Sequence, residues 1–362
     1  MLITIVYSCK WVFVGLTWLN VMRDSVFYKY IKSLIMKQES SLVYPRSMNR
    51  RRFVKTAAVG SVAISTTSHV QAAKEKTSSE TLVSQLYKSL KEEQKKLVVF
   101  PFEHPLREKV DNNWQITKKS IGEIFTKDQQ ALVKEIFLKL HSEEYAETVL
   151  GQVLHDSEGE GFESTSVALF GKPNTGRFEF VLTGRHCTRR CDGDSVNGEA
   201  FGGPIFYGHA ARSFNETATH PGNVYWYQAK QANKVFSMMD GKHQKMALLS
   251  ESRPEQGTKT VKLTGKKVGL PGIPLSELSR DQKGQVRKTM NDLLSMFREK
   301  DVKEAIKMVE NAGFDHLHMA FYKNHDIGDD KVWDVWQIEG PNCLWYFRGD
   351  PHVHAWINIK KI

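Results

Sequence analysis

The chain has 362 residues, of which 51 are Lys or Arg and 41 are Asp or Glu, giving a formal net charge of +10. Residues 1–72 hold 10 of these basic residues and 2 of the acidic ones, so residues 73–362 carry 41 basic against 39 acidic residues. A nucleic-acid partner is expected to need a strongly basic surface, so this near-neutral balance argues against one. Only 3 of the 4 cysteines follow residue 72, which excludes a disulfide-rich scaffold.

A twin-arginine export signal is predicted at residues 48–72. Residues 49–55, Asn-Arg-Arg-Arg-Phe-Val-Lys, are close to the Arg-Arg-x-Phe-Leu-Lys core of such signals. A modestly apolar run and the short side chains of residues 70–72 follow, in the order that an export signal requires. We therefore expect a periplasmic or extracellular protein, with the twin-arginine translocase as its partner during export and no stable membrane anchor after cleavage.

Residues 1–47 are predicted to be an over-extended N-terminus, because Met48 stands immediately before the export signal. The apolar stretch from Leu2 to Met22 is long enough to suggest a membrane helix. Lys10 and Asn20 interrupt it, and a second anchor before an export signal would serve no purpose. We expect no membrane helix in this segment.

The remaining sequence predicts a polar helical lead-in at residues 73–97, followed by one domain at residues 98–362. Helical periodicity is found at residues 128–140, 144–154, 224–239, 243–250 and 276–310, the last segment being broken near residues 300–301. Strand patterns are found at residues 164–170, 177–183, 186–192, 314–322, 331–339, 343–348 and 352–359, and residues 193–222 are predicted to be largely loop. This order favours an α+β fold with a largely antiparallel sheet and helices packed against it.

Histidines are the most informative chemical feature, since the sequence has no phosphate loop, nucleophile elbow or dinucleotide fingerprint. His352 and His354 lie in a predicted strand, where alternation places them on one face with Trp356. Their separation of roughly 6.6 Å along the strand allows both imidazoles to bind one metal ion. His186 and His209, the second from a glycine-rich loop, are the other candidate metal ligands.

Three charged residues near the terminal strands are candidates for acid–base or substrate-binding roles: Glu339, Arg348 and Asp350. Arg348 could hold an anionic substrate, although a salt bridge is the commoner role of such a residue. The second His-x-His pair, His316 and His318, could join the first pair, but we favour the solvent face of an amphipathic strand.

Cys187 and Cys191 lie about 13 Å apart if their segment is a straight strand, which is too far for a disulfide. A metal-binding or redox role for these two cysteines would require a turn between them.

The chain resembles the bacterial "domain of unknown function 3500" family over roughly residues 98–358. The resemblance is carried by short motifs in a specific order: Phe100-Pro101-Phe102, Pro105-Leu106-Arg107, Gly184-Arg185-His186, Phe201-Gly202-Gly203-Pro204 with Ala210-Ala211, Ile338-Glu339-Gly340-Pro341 and Pro351-His352-Val353-His354. Arg185 stands where the family has a histidine, and Asp350-Pro351 where it has an asparagine. The resemblance implies export and a single family-length domain, but no activity.

Two hypotheses follow for the function. In the first, the protein is an exported metal-dependent hydrolase or oxidoreductase, in which the four candidate histidines hold Zn, Fe or Cu and act on an unknown small molecule. In the second, it is a non-catalytic envelope protein that binds a small molecule or peptide without a metal. Convergence of the histidines in the fold would favour the first hypothesis, and histidines scattered over separate faces would favour the second.

Overall fold

A computed structural model describes residues 78–174, 176–193, 195–210, 225 and 227–362. The predicted N-terminal extension, the export signal and the first residues of the helical lead-in lie outside these residues. Among the helices of the described part, none has both the length and the apolar character that a membrane span requires.

Nine α-helices occur in the described residues, and several begin at a side chain that caps the first turn. Thr126 and Ser279 each form a capping box with a glutamine three residues later. The predicted helices at 128–140 and 144–154 are confirmed, whereas the break in the segment 276–310 lies at residues 295–298. The helices are α1 Ser79–Ser89, α2 Glu92–Val98, α3 Ile121–Ile124, α4 Lys127–Lys139, α5 Ala146–Asp156, α6 Tyr227–Ser237, α7 Gly241–Ala247, α8 Arg280–Leu294 and α9 Glu299–Asn311.

Eleven strands of the described chain form one sheet, in the order β1-β2-β3-β4-β5-β11-β10-β9-β8-β6, with β7 paired to β8. The pairs β1–β2 and β6–β8 are parallel and the other pairs are antiparallel, so the predicted α+β fold is confirmed. The strands are β1 Val99–Phe100, β2 Ser166–Gly171, β3 Phe178–Gly184, β4 Cys187–Cys191, β5 Ile205–His209, β6 Leu248–Leu249, β7 Ile273–Pro274, β8 His318–Tyr322, β9 Val335–Glu339, β10 Cys343–Arg348 and β11 Val353–Ile359.

Strand β5 lies within residues 193–222, which are predicted to be largely loop, and it was not predicted. It lies in the middle of the sheet, between β4 and β11. The strand has only five residues, and Gly208 interrupts its apolar alternation. A short strand containing glycine is hard to distinguish from a loop by pattern alone.

Apolar side chains on the two faces of the sheet belong to two separate clusters. Val353 and Ala355 of β11 belong to the main core, which contains apolar side chains of most of the helices. Trp356 of the same strand belongs to a second cluster with Phe206 and Val261. The alternation predicted for this strand is therefore confirmed, and one face of β11 is covered by irregular chain near Val261.

Strand directions bring several chain segments to one end of the sheet. Strands β4 and β11 begin at this end, while β5 and β10 finish there, because neighbouring strands in this part of the sheet are antiparallel. Strand β8 also finishes there, since it runs opposite to β9 and β9 runs opposite to β10. Strand β6 pairs in parallel with β8 and so finishes at the same end. Polar residues just outside these strands are therefore neighbours.

Candidate metal centre

Three of the four candidate histidines meet at this end of the sheet. His186 immediately precedes β4, and His352 and His354 lie at the start of β11. One ring nitrogen from each histidine lies within 4.8 Å of the others, and the three residues are only 4%, 6% and 3% exposed, respectively. Imidazole is a common ligand of Zn, Cu and Fe, so this buried group, called here the histidine cluster, could bind a metal ion.

Gly208 makes the space for the histidine cluster. His354 of β11 lies between two cross-strand neighbours, Gly208 of β5 on one side and Arg348 of β10 on the other. A Cβ atom on residue 208 would lie 2.3 Å from the carbonyl oxygen of Val353 and 3.4 Å from the ring of His186. The absence of a side chain at this position therefore lets β5 and β11 pair closely and leaves room for the imidazole of His186.

The backbone of His186 has an unusual conformation, with φ at 54°. Such a left-handed conformation is uncommon for residues other than glycine and typically marks a tight turn or a functional site. Two hydrogen bonds hold it: the His186 N–H donates to the Asn112 carbonyl at 2.8 Å, and the Gly208 N–H donates to the His186 carbonyl at 3.2 Å. The β3–β4 turn thus fixes the His186 imidazole against β5.

Two carboxylates, one from the buried Asp156 and one from the half-buried Glu255, orient the imidazoles. His186 Nδ1 lies 2.8 Å from Asp156 Oδ2, and His354 Nδ1 lies 2.8 Å from Glu255 Oε2. An imidazole that donates its Nδ1–H to a carboxylate leaves the Nε2 lone pair available for a metal. The Nε2 atoms of His352 and His354 are 2.9 Å apart. Two nitrogen ligands on one tetrahedral zinc ion lie about 3.3 Å apart, so a shift of a few tenths of an ångström would suit a metal.

Each carboxylate is itself held in place. The Gln152 side-chain amide and the Ala210 N–H donate to Asp156 Oδ2 at 2.7 and 3.1 Å. Glu255 accepts from the Trp356 indole N–H at 2.7 Å and pairs with the Arg348 guanidinium at 3.0 Å. These contacts fix the orientation of the carboxylates, and through them the orientation of the rings.

The surroundings favour the neutral form of His352 and His354, which is the form that binds metals. Burial, with smaller effects from His354, His186 and Arg348, lowers the pKa of His352 to about 2. Burial and Arg348 also lower the pKa of His354 well below its usual value. Burial alone would raise the pKa of Asp156, but its hydrogen bonds with His186 and His209 outweigh that effect and lower it.

His209, the fourth predicted ligand, lies on the far side of Asp156. Its Nδ1 is 3.0 Å from Asp156 Oδ1, and its ring centre is 4.9 Å from that of His155. His155, Asp156 and His209 form a second group whose ligand atoms lie within 4.8 Å of one another. Asp156 therefore connects His209 to the histidine cluster, and the structure does not bring all four histidines around one point.

The three predicted catalytic residues occupy different places. Arg348 lies at the histidine cluster, with its guanidinium 3.4 Å from His352 Nε2. Asp350 contacts His325 at 2.9 Å instead. Glu339 lies at the other end of β9, where it pairs with Arg253 at 2.6 Å. Since Glu339 is four residues from the strand position opposite Arg348, roughly 13 Å separate it from the cluster along the strand.

The second His-x-His pair does not join the histidine cluster. His318 is the cross-strand partner of Glu339, so it lies at the other end of the sheet. His318 is buried, and the interpretation that its side chain lies on a solvent face is therefore wrong. The reason is that both faces of β8 are covered: Met319 and Phe321 lie in the main core, and Ala320 and Tyr322, which alternate with them, lie in the second cluster with Val261.

The cysteines after residue 72 are buried and free: Cys187, Cys191 and Cys343. Cys187 and Cys191 stand at the two ends of the straight strand β4.

Asp156 and Glu255 were missed by the sequence reasoning. Asp156 ends helix α5, and Glu255 lies in a polar, turn-rich stretch. The chain has 41 acidic residues, and no motif distinguishes these two. The convergence itself favours the metal-site hypothesis over the alternative of scattered histidines.

Comparison with known proteins gives a family. The family model for proteins of unknown function named DUF3500 matches residues 72–357. No curated protein and no solved structure gives a significant match.

Proposed function

The chain belongs to the DUF3500 family of proteins of unknown function, and from the geometry of its histidine cluster we propose that it is a metal-dependent enzyme. The proposal is carried by one observation, the convergence of His186, His352 and His354, two of them oriented by carboxylates. Carboxylate-oriented imidazoles are typical of metal-binding histidines. Three imidazole nitrogen ligands suit Zn, Fe or Cu and leave a coordination position open for a substrate or water.

Arg348 supports a substrate-binding role beside the cluster. Its guanidinium lies next to His352 and pairs with Glu255, and its side chain is 19% exposed. A guanidinium there can hold a carboxylate or phosphate group of a small substrate beside the metal. A divalent metal would supply a Lewis acid, while Arg348 would orient an anionic group, which fits a hydrolase or an oxidoreductase acting on a small anionic molecule.

Metal analysis tests this proposal. We expect about one Zn, Fe or Cu per chain in purified protein, and loss of that metal in His352→Ala and His354→Ala. His243→Ala is the matched control, because His243 lies on α7 and contacts Asp240 rather than the cluster. Background metal content in the wild type, both as purified and after incubation with each of the three metals, would overturn the proposal.

We also propose that the chain is exported through the twin-arginine pathway to the periplasm or the extracellular space. The order of charged, apolar and small residues at 48–72 supports this. Replacing Arg50 and Arg51 together by lysine should leave the protein in the cytoplasm. Equal export of this variant and the wild type would contradict the pathway.

A further inference from the structure

A second group of side chains with catalytic geometry lies at the same end of the sheet. The Ser252 hydroxyl lies 3.2 Å from His325 Nε2, and His325 Nδ1 lies 2.9 Å from Asp350 Oδ2. A serine, a histidine and an aspartate joined in this order through the two ring nitrogens form the arrangement that activates a serine nucleophile. We propose that Ser252, His325 and Asp350 form a nucleophilic site that acts on carboxylic esters.

The sheet topology explains why these residues meet. Strands β6 and β8 are parallel and pair Leu249 with Tyr322. Ser252 follows Leu249 by three residues, and His325 follows Tyr322 by three residues, so the two side chains leave the same end of neighbouring strands. Asp350 follows β10, which finishes at that end as well.

Backbone hydrogen bonds fix the loop that carries His325. The Asp334 N–H donates to the His325 carbonyl at 3.2 Å, and the Gly349 N–H donates to the Asp334 carbonyl at 2.6 Å. The loop that carries His325 is therefore tied directly to the residue before Asp350. With its Nδ1–H donated to Asp350, His325 presents the Nε2 lone pair to the Ser252 hydroxyl.

The side chains of this site are more exposed to solvent than the three histidines of the cluster. Ser252 is half-buried, and the side chains of His325 and Asp350 are 23% and 33% exposed. The Tyr346 hydroxyl donates to the carbonyl of Arg253, the residue after Ser252, at 3.1 Å and so helps to hold the backbone beside the nucleophile.

The proposed reaction is an ester hydrolysis in two steps. Ser252 Oγ bonds to the carbonyl carbon while its proton passes to His325 Nε2; the bond to the leaving alkoxide then breaks, and the alkoxide takes that proton as it departs. Water next attacks the acyl–serine ester, giving a proton to His325, and the bond from Ser252 to the acyl group breaks. Serine regains the proton, and the carboxylic acid is released. Asp350 acts as a positioning residue that holds the ring.

A fluorophosphonate probe tests the site in the purified full chain, because its phosphorus bonds to an activated serine with loss of fluoride. We expect one probe per chain, located at Ser252 by peptide mass spectrometry. His325→Gln should slow labelling by about 100-fold or more. Ser89→Ala should label like the wild type, since Ser89 is an exposed serine whose hydroxyl donates to the Leu86 carbonyl and accepts from the Gln129 side-chain amide, with no histidine beside it.

Asp350→Asn separates positioning from a purely structural role. It should lower the maximal labelling rate and leave the half-saturating probe concentration unchanged. Mapping the wild-type protein locates the labelled residue directly, so the result does not depend on whether Ser252→Ala folds. No labelling, labelling of another serine, or wild-type labelling of the His325→Gln variant would overturn the proposal. None of these outcomes depends on a metal, so the proposed metal centre is tested separately.

Discussion

Replacing Gly208 by alanine should destabilise the protein, because the glycine stands where β5, β11 and the ring of His186 come together. An added Cβ would lie 2.3 Å from the Val353 carbonyl oxygen. Such a contact is far inside the optimal separation of non-bonded atoms, so the two backbones must move apart by about 1 Å. His354, the cross-strand partner of residue 208, would move with β11.

The expected change in the free energy of unfolding follows from two opposing effects. Forcing extra volume into a packed region costs about 1–3 kcal/mol. Alanine also restricts the unfolded chain, which stabilises the protein by about 0.4–1 kcal/mol. We therefore expect a net loss of about 1–2 kcal/mol in the free energy of unfolding, together with weaker zinc binding.

Gly284→Ala is the matched control for this measurement. Gly284 lies in the interior of α8, and a Cβ atom added there would meet no atom of another chain segment within 4 Å. Alanine there should stabilise the helix by about 0.5–1 kcal/mol. Urea unfolding followed by tryptophan fluorescence compares the two variants. Equal or higher stability of the Gly208→Ala variant would refute the steric reasoning.

The other predictions concern the carboxylates that orient the histidines, the pH dependence of stability and the reactivity of the cysteines. Asp156→Asn and Glu255→Gln should each weaken Zn(II) binding about 10–100-fold in a competition titration, whereas Asp240→Asn, which keeps the α7 cap, should not. Burial, with the nearby Arg189, lowers the pKa of His141, so the protein takes up a proton at this residue when it unfolds in acid. Between pH 7.5 and 5.5 the wild type should therefore lose about 1.4 kcal/mol more free energy of unfolding than His141→Gln. Equal losses in the two proteins would contradict this. Cys187, Cys191 and Cys343 are buried, so thiol reagents should modify them only after unfolding, as peptide mapping would show.

The fold class could be predicted because most strands and helices have regular apolar periodicity. The segment 343–348 was predicted with the bounds that β10 has in the structure. Strand β5 was missed since tertiary pairing, rather than local pattern, makes it a strand. The environment of His318 was also predicted wrongly, because the chain that covers this face of β8, near Val261, is distant in sequence.

The site was only partly predictable, for a similar reason. The spacing of His352 and His354 indicates a shared face without reference to any other segment. Asp156 orients His186 from 30 residues earlier in the chain, and Glu255 orients His354 from 99 residues earlier. Single acidic residues at such separations carry no local signal, so only the folded structure reveals which two of them orient the histidines.

Strand direction is the physical reason that the histidine cluster and the Ser252–His325–Asp350 group lie at one end of the sheet. Antiparallel neighbours bring the end of β5 and β10 to the start of β11, which places His209, Arg348 and His352 together. The parallel pair β6–β8 adds Ser252 and His325 at the same end. Asp350 lies two residues from His352, so the serine site and the histidine cluster are neighbours along the chain. The covalent probe and the metal titration test these two proposed sites independently.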